Sequence, residues 1–185
     1  MKKFLSTALF VTLLCSAGFS QWTYEAAWPD TNYKGGTHGI AVDPDGKVWT
    51  SSYYQNNWIA PDTVKTCPIF VFNPDGSLLN TLYTVTTGAV TDTLKGRNRG
   101  LSVAADGDIL YVQSGPSRII KINYQTLQGA ARHDITEVGS SPTKAASSSD
   151  GTIYVGPVVG GGTTAIATYD KDLNYLGNAV TGPAN

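Results

Sequence analysis

The sequence is poor in the residues that most catalytic and metal-binding sites use. Its 185 residues include two cysteines, Cys15 and Cys67, and two histidines, His38 and His133. This small number of cysteines and histidines excludes an internal disulfide framework and histidine-rich acid–base or metal chemistry. No Ser/His/Asp nucleophile motif and no clustered metal-ligand spacing is present beyond the N-terminal segment.

Charge is also scarce, because only 15% of the residues are charged. Once an N-terminal segment with Lys2 and Lys3 is removed, 11 basic and 14 acidic residues leave a net charge of −3. The basic residues are scattered along the chain and form no patch that would neutralise a phosphate backbone. We therefore expect no nucleic acid partner.

A long apolar run occurs once, at residues 4–14, and it follows Lys2 and Lys3 and precedes small residues up to Ser20. This order is typical of a secretory signal peptide, which we place at residues 1–20. The run is shorter than the roughly 18 apolar residues of a membrane span, so we expect no span and a secreted or periplasmic protein. Cleavage after Ser20 would leave Gln21 first, and Ala17 or Gly18 are alternative sites. Lipidation at Cys15 is the less favoured alternative, because Leu14 stands where that signal takes a small residue.

The exported chain then has one cysteine, Cys67, which is either a buried thiol or paired with a residue beyond 185. It directly precedes the apolar run at residues 69–72, so we predict a free and buried thiol.

Glycine and aromatic residues are abundant, with twenty glycines, ten tyrosines and four tryptophans, and this composition predicts an all-β protein. Three stretches repeat one pattern, in which an apolar strand, a turn ending in Asp-Gly and a second strand follow each other: residues 38–49, 99–112 and 143–155. Asp-Gly between apolar runs is a strong hairpin signal. A second pair of strands follows each hairpin, so each unit has four strands.

The glycines of these turns, Gly46, Gly107 and Gly151, are 61 and 44 residues apart. A four-stranded unit of about 45 residues is typical of a β-propeller blade. We predict a β-propeller of four-stranded antiparallel blades. Its predicted parts are an N-terminal closing strand and lead-in (21–36), blade 1 (37–83), a linker with blade 2 (84–136), and blade 3 with the start of the next blade (137–185). About three blades are too few to close a ring, so a truncated ring is expected. An insertion at residues 53–68 is expected to be mobile.

Two phrases, residues 38–46 (HGIAVDPDG) and 69–77 (IFVFNPDGS), resemble NHL-type blades and the six-bladed propellers of the senescence-marker-protein and gluconolactonase group. The resemblance covers roughly residues 37–180. It implies a divalent metal such as calcium, held by acidic and amide side chains, one of them an Asn directly before the Gly of an innermost strand. Here His38 and Arg99 precede those glycines, Asn98 is displaced by one, and Asn185 would fit only if a glycine followed it.

Propeller ligands usually lie over the central channel, beside the residues that lead into each innermost strand. The equivalent residues here are His38, Arg99 and Thr143. His38 is a candidate metal ligand or base, Arg99 with Arg97 is a candidate carboxylate or phosphate site, and Asn185 is the next candidate along the chain. Alternatively, these are ordinary polar residues on a wet rim.

The aromatic residues of the insertion form a second candidate site. Tyr53, Tyr54 and Trp58, with Asn57, are candidates for a recognition loop, whereas Trp49 alternates with apolar neighbours and is expected in the core. The leading hypothesis is an exported binding scaffold for a protein, a glycan or a small molecule, without an evident cofactor. The alternative is a metal-dependent, lactonase-like hydrolase whose catalytic residues lie mostly beyond residue 185.

Overall fold

The computed structural model describes residues 37–54, 65–139, 141–158 and 165–180. These residues form three separate β-sheets and no helix, which confirms the predicted all-β class. Among them there is consequently no helical segment of the length and apolarity needed to cross a membrane. The predicted signal peptide and closing strand, at residues 1–36, lie outside the described residues.

The first and third sheets each have the four antiparallel strands predicted for a blade, in chain order. The first contains β1 (Thr37–Val42), β2 (Val48–Ser52), β3 (Ile69–Phe72) and β4 (Leu78–Leu82). The strands of the third sheet are numbered after those of the second. They are β11 (Ala146–Ser147), β12 (Ile153–Val155), β13 (Ile166–Tyr169) and β14 (Tyr175–Val180).

The second sheet has six strands rather than four. It contains β5 (Thr84–Thr87), β6 (Val90–Thr93), β7 (Arg97–Val103), β8 (Ile109–Ser114), β9 (Arg118–Ile122) and β10 (Gly129–Asp134), in the order β6-β5-β10-β9-β8-β7. Strands β7 to β10 are the four predicted ones. The stretch expected to act as a linker forms the hairpin β5–β6, which joins the sheet by a parallel contact between Thr87 and Gly129.

The Asp-Gly turns have the expected geometry. The glycines of all four have left-handed φ angles between 80° and 91°, namely Gly46, Gly76, Gly107 and Gly151. In three of the turns the Asp before the glycine accepts the N–H two residues later, as Asp75 does from Ser77 at 2.9 Å. The first turn differs, because Asp43 accepts the N–H groups of Asp45 and Lys47 instead.

Asp43 also fixes the largest core side chain of the first sheet. Its second carboxylate oxygen accepts the indole N–H of Trp49 at 2.9 Å, and both residues are buried. Trp49 is therefore a core residue, as predicted. The polar indole N–H can be buried here because it has a partner.

The middle sheet packs against both of its neighbours. Strand β8 is buried along its whole length: Ile109 and Tyr111 pack with Trp49 toward the first sheet, and Leu110 and Val112 pack with the third sheet. Successive residues of a strand point to opposite faces, so one strand serves two apolar layers. Face-to-face packing of four-stranded sheets is the arrangement of propeller blades.

Cys67 lies two residues before β3 and is free and fully buried, which confirms the prediction. Its thiol lies 3.3 Å from the carbonyl oxygen of Gly96, in the segment that leads into β7. Burial raises the pKa of this thiol to about 11, while a backbone hydrogen bond from Asn98 opposes the rise. A thiol with so high a pKa is protonated and unreactive at neutral pH.

Candidate functional site

One end of the sheets brings together most of the predicted site residues. We call it the mouth end: it is where the innermost strands β1, β7 and β11 begin, and the Asp-Gly turns lie at the opposite, turn end. In an antiparallel sheet the second strand returns to the end where the first began. The residue after β2, Tyr53, therefore reaches the start of β7, where its carbonyl accepts the N–H of Asn98 at 3.2 Å.

Glycine allows the innermost strands to approach closely at this end. Gly39 of β1 has a φ of 84°, and a Cβ there would lie 2.7 Å from the backbone nitrogen of Leu101 in β7. At Gly96, a Cβ would lie 2.0 Å from the carbonyl oxygen of Ser114. Both residues must be glycine for the backbones to pack in this way.

Asn98 joins β1 to β7 and is fully buried. Its amide nitrogen donates to the carbonyl oxygen of His38, and its amide oxygen accepts the N–H of Gly100 at 2.8 Å. The side chain is thus occupied by backbone groups.

A cleft of about 590 Å³ opens at the mouth end, and we call it the mouth cleft. Its described lining consists of Tyr54, Lys65, Gly96, Arg97, Arg99, Ser114, Gly115 and Ser141. None of these residues is acidic. The residues come from four chain segments, so only the assembled sheets form the cleft.

Arg99 is held in the cleft by three side-chain hydrogen bonds. Its guanidinium donates to three hydroxyl groups: Nε to Ser114 at 3.0 Å, Nη1 to Tyr53 at 3.3 Å and Nη2 to Ser141 at 2.6 Å. All three partners are neutral, and no carboxylate among the described residues forms an ion pair with this guanidinium. Its carbon Cζ also lies 5.8 Å from the centre of the Tyr53 ring, within range of a cation–π contact.

The aromatic side chains form a small stack beside the cleft. The rings of Tyr53 and Tyr54 meet edge to face at 4.5 Å, and His38 lies 5.0 Å from Tyr53. Arg97 lies over the ring of Tyr54 at 5.8 Å, and 58% of Tyr54 is exposed. Tyr54 therefore presents an open ring surface next to an arginine.

The structure thus brings together four of the predicted site residues, Tyr53, Tyr54, Arg97 and Arg99. The ring of His38 contacts that of Tyr53 at a tilted angle, but His38 is not part of the described lining. Thr143 is engaged with Gly156, whose N–H it accepts at 3.0 Å. Asn57, Trp58 and Asn185 lie outside the described residues, as does most of the 53–68 insertion.

Sequence reasoning missed Lys65, Ser114 and Ser141. Lys65 lies within the insertion, Ser114 ends β8, and Ser141 precedes the third sheet, so they are far apart in the chain. Their only sequence signal is that each lies in or beside a connection predicted to reach the same side of the sheets.

The mouth cleft does not fit the divalent metal implied by the family resemblance. Its lining contains three cationic side chains, and the amide of Asn98 is buried against the backbone. Oxygen donors with negative charge are what such a cation requires. In the described part of the chain, no three His, Cys, Asp or Glu residues are close enough to share a metal ion.

Comparison with solved structures gives the fold. The chain is similar to streptogramin B lyase, with a TM-score of 0.55 and 14% identity over 83% of this chain and 43% of that one. It is also similar to a gluconolactonase from Xanthomonas campestris, with a TM-score of 0.49 and 15% identity over 77% and 46% of the two chains. A further solved structure, a gluconolactonase-family protein, has a TM-score of 0.45 and 14% identity over 78% and 48%.

Streptogramin B lyase is a β-propeller, and the likeness to it shows that the present chain has this fold. The chain spans less than half the length of each of the three. No family model and no curated protein matches the sequence.

Proposed function

We propose that this chain is an exported β-propeller scaffold that binds a small-molecule ligand in the mouth cleft. The observation that carries the proposal is the cleft itself, where Tyr54, Arg97 and Arg99 meet. Its volume of about 590 Å³ is within the usual range of small-ligand sites, roughly 300–1,000 Å³. An arginine fixed by hydroxyl groups and an exposed ring are typical of a site that orients a ligand.

Ligand binding is tested with the full chain, isotope-labelled for NMR, and a fragment library with equal numbers of anionic, neutral and cationic members. We expect fragments that shift the amide signals of Gly96 and Gly115. Binding should be lost in Ser141→Trp, which fills the cleft, and kept in Ala130→Trp, at an exposed position of β10 outside the described lining. Fragments that bind both variants equally, or no binding at all, would contradict a site in the cleft.

Export is a separate part of the proposal and is supported by the order of charged, apolar and small residues at positions 1–20. When the full chain is expressed in a bacterium, the protein should appear in the periplasm or the medium with Gln21 as its first residue. Replacing Lys2 and Lys3 by Glu should retain uncleaved protein in the cytoplasm. N-terminal sequencing of each fraction decides this, and full-length protein with Met1 in the periplasm would count against it.

The alternative, a lactonase-like hydrolase, is supported by the sequence resemblance of residues 38–46 and 69–77. It requires metal ligands other than the described lining of the mouth cleft. Turnover of simple lactones by the full chain, measured with and without calcium and compared with Arg99→Gln, separates the two functions. Calcium-dependent turnover would replace the scaffold proposal by the enzyme.

A further inference from the structure

The charges of the described residues are separated between the two ends of the sheets. Eight of the eleven described acidic residues lie in the hairpin turns at the turn end: Asp43, Asp45, Asp75, Asp106, Asp108, Asp150, Asp170 and Asp172. The other three, Asp92, Asp134 and Glu137, are all hydrogen-bonded to an arginine or a histidine. Within the described ranges, the mouth end therefore has no acidic side chain without a basic partner.

The basic residues show the complementary pattern. Five of the ten described lysines and arginines form ion pairs with described residues: Lys47, Arg118, Lys121, Arg132 and Lys171. No ion pair within the described ranges involves the other five, which are Lys65, Lys95, Arg97, Arg99 and Lys144. Three of these line the mouth cleft, Lys95 is next to Gly96 in the chain, and Lys144 packs against Gly100. The unpaired positive charge is concentrated at one place.

Arg99 is suited to bind an anion because of how its own hydrogen bonds are arranged. A guanidinium has five N–H groups, and three are donated to Ser114, Tyr53 and Ser141. For the remaining two, one on each terminal nitrogen, no acceptor is found among the described residues. The three hydroxyl groups hold the plane of the guanidinium. Arg99 therefore loses little side-chain conformational entropy when a ligand binds to its free N–H groups.

Neighbouring groups complete the site. Arg97 and Lys65 are exposed and line the same cleft, and Tyr54 offers a ring face beside Arg97. Planar arginine groups bind carboxylate and phosphate oxygens with two parallel hydrogen bonds, and these charge-assisted bonds are stronger than neutral ones. A neutral ligand would leave three positive charges in the cleft without a counter-charge.

We propose that the ligand of the mouth cleft is a small oxoanion, a molecule with a carboxylate, phosphate or sulfate group held by Arg99, Arg97 and Lys65. This inference rests on the proposed function, because it names the chemical class of ligand for the same cleft. The negative group lies against the guanidinium of Arg99, and the apolar part of the ligand covers the ring of Tyr54.

The test uses the full chain and pairs of probes that differ in charge. Benzoate and benzamide have the same shape, and inorganic phosphate and sulfate report on the anion alone. In an NMR titration, benzoate, phosphate and sulfate should shift the amide signals of Gly96 and Gly115, and benzamide should bind about tenfold more weakly or not at all. Raising the salt concentration from about 0.05 to about 0.5 M should weaken the binding of the anions.

Variants then assign the binding to the proposed residues. Arg97→Gln should weaken benzoate binding by about tenfold, and Arg99→Lys should weaken it although the charge is kept, because the fork of N–H groups is lost. Lys171→Gln removes one positive charge at the turn end, where Lys171 pairs with Asp172, and should leave the affinity unchanged. Melting temperatures show whether Arg99→Lys is folded. If it is unfolded, Arg97→Gln still tests the inference, because Arg97 is exposed and its replacement should not disturb the fold.

Other results would overturn the inference in distinguishable ways. If benzamide binds as tightly as benzoate, and Ser141→Trp abolishes both, the cleft binds ligands but not by charge. If Lys171→Gln weakens benzoate binding as much as Arg97→Gln does, anion binding depends on the net charge of the protein and not on the residues of the cleft. If no fragment of any charge binds at Gly96 and Gly115, the proposed function itself fails.

Discussion

At the scale of single residues, small and amide side chains decide how closely β1 and β7 approach. Gly39 leaves room for the backbone of Leu101, and Asn98 bonds to the backbone on either side. This close approach brings Tyr53 over Arg99. The cationic cleft therefore depends on residues that do not line it.

Gly39→Ala should destabilise the protein by about 2–4 kcal/mol, because the new Cβ meets the backbone of β7 and alanine is strained at a positive φ. Gly156→Ala is the matched control, since its Cβ would meet Thr143 and Ile166 only at 3.7 and 3.8 Å. Urea unfolding of both variants measures the difference. Equal stability of Gly39→Ala and Gly156→Ala would show that the two strands do not approach as described.

At the scale of elements, the hairpin β5–β6 is attached to its sheet by ion pairs as well as by the buried side chain of Val85. Asp92 of β6 is buried and accepts hydrogen bonds from Arg118 of β9 and Arg132 of β10, the latter at 2.7 Å. The same arginines bond to Asp134. Burial works against ionisation of Asp134, but the two arginines outweigh it and hold the pKa of this carboxyl below its usual value.

Asp92→Asn should cost about 2–3 kcal/mol, because two partly buried guanidinium groups lose their shared carboxylate. Hydrogen exchange should become faster at the amides of residues 85–93, where the hairpin detaches first. In the control Asp172→Asn, which breaks an exposed pair with Lys171, no measurable change is expected. Unchanged exchange in Asp92→Asn would mean that the two arginines do not hold the hairpin.

The segment between the second and third sheets contains Glu137, whose contribution to the stability of the fold depends on pH. Burial alone would raise the pKa of Glu137, but N–H groups of its own backbone and of Thr136, together with His133 and Tyr169, hold it below 4.5. A lowered pKa in the folded state stabilises the fold above pH 4.5, and this stabilisation is lost as the pH falls through the lowered pKa.

Glu137→Gln should therefore lower the free energy of unfolding at about pH 7, and the difference from the unchanged protein should shrink toward about pH 3. The measurement is urea unfolding of both proteins across this range. A difference that stays constant with pH would show that the charge of Glu137 does not contribute.

At the scale of the whole molecule, apolar side chains remain exposed on the outer face of the first sheet. Ile40 and Val42 of β1 are 62% and 53% exposed, whereas Ala41 between them is buried toward the second sheet. In a closed propeller such a face packs on a neighbouring blade. Uncovered faces of this kind favour self-association.

The chain without its predicted signal peptide, residues 21–185, should accordingly show an apparent mass above that of a monomer that increases with concentration. Replacing Ile40 and Val42 together by Thr, which keeps the β-branched shape but adds a hydroxyl, should move the distribution toward monomer. Val90→Thr, at an exposed position of the β5–β6 hairpin, is the control. Size-exclusion chromatography with light scattering decides this, and a stable monomer that melts cooperatively would contradict the prediction.

Several features were determined by the sequence itself. The Asp-Gly turns, the alternating strands and the buried Trp49 could be predicted because they depend on residues within a few positions of each other. The burial of Cys67 followed from its place before an apolar strand. Arg97 and Arg99 were identified as candidates because they lead into an innermost strand, and Tyr53 and Tyr54 because they are aromatic residues of the insertion.

Only the tertiary structure decided how these residues meet. The orientation of the Arg99 guanidinium, and with it the direction of its free N–H groups, is set by Ser114 and Ser141. These residues lie 15 and 42 positions away in the chain. Asn98 is occupied by the backbone of a different sheet, and the β5–β6 hairpin is held by arginines from two later strands. Contacts between distant residues leave no local pattern in the sequence, because their geometry exists only after the sheets have packed.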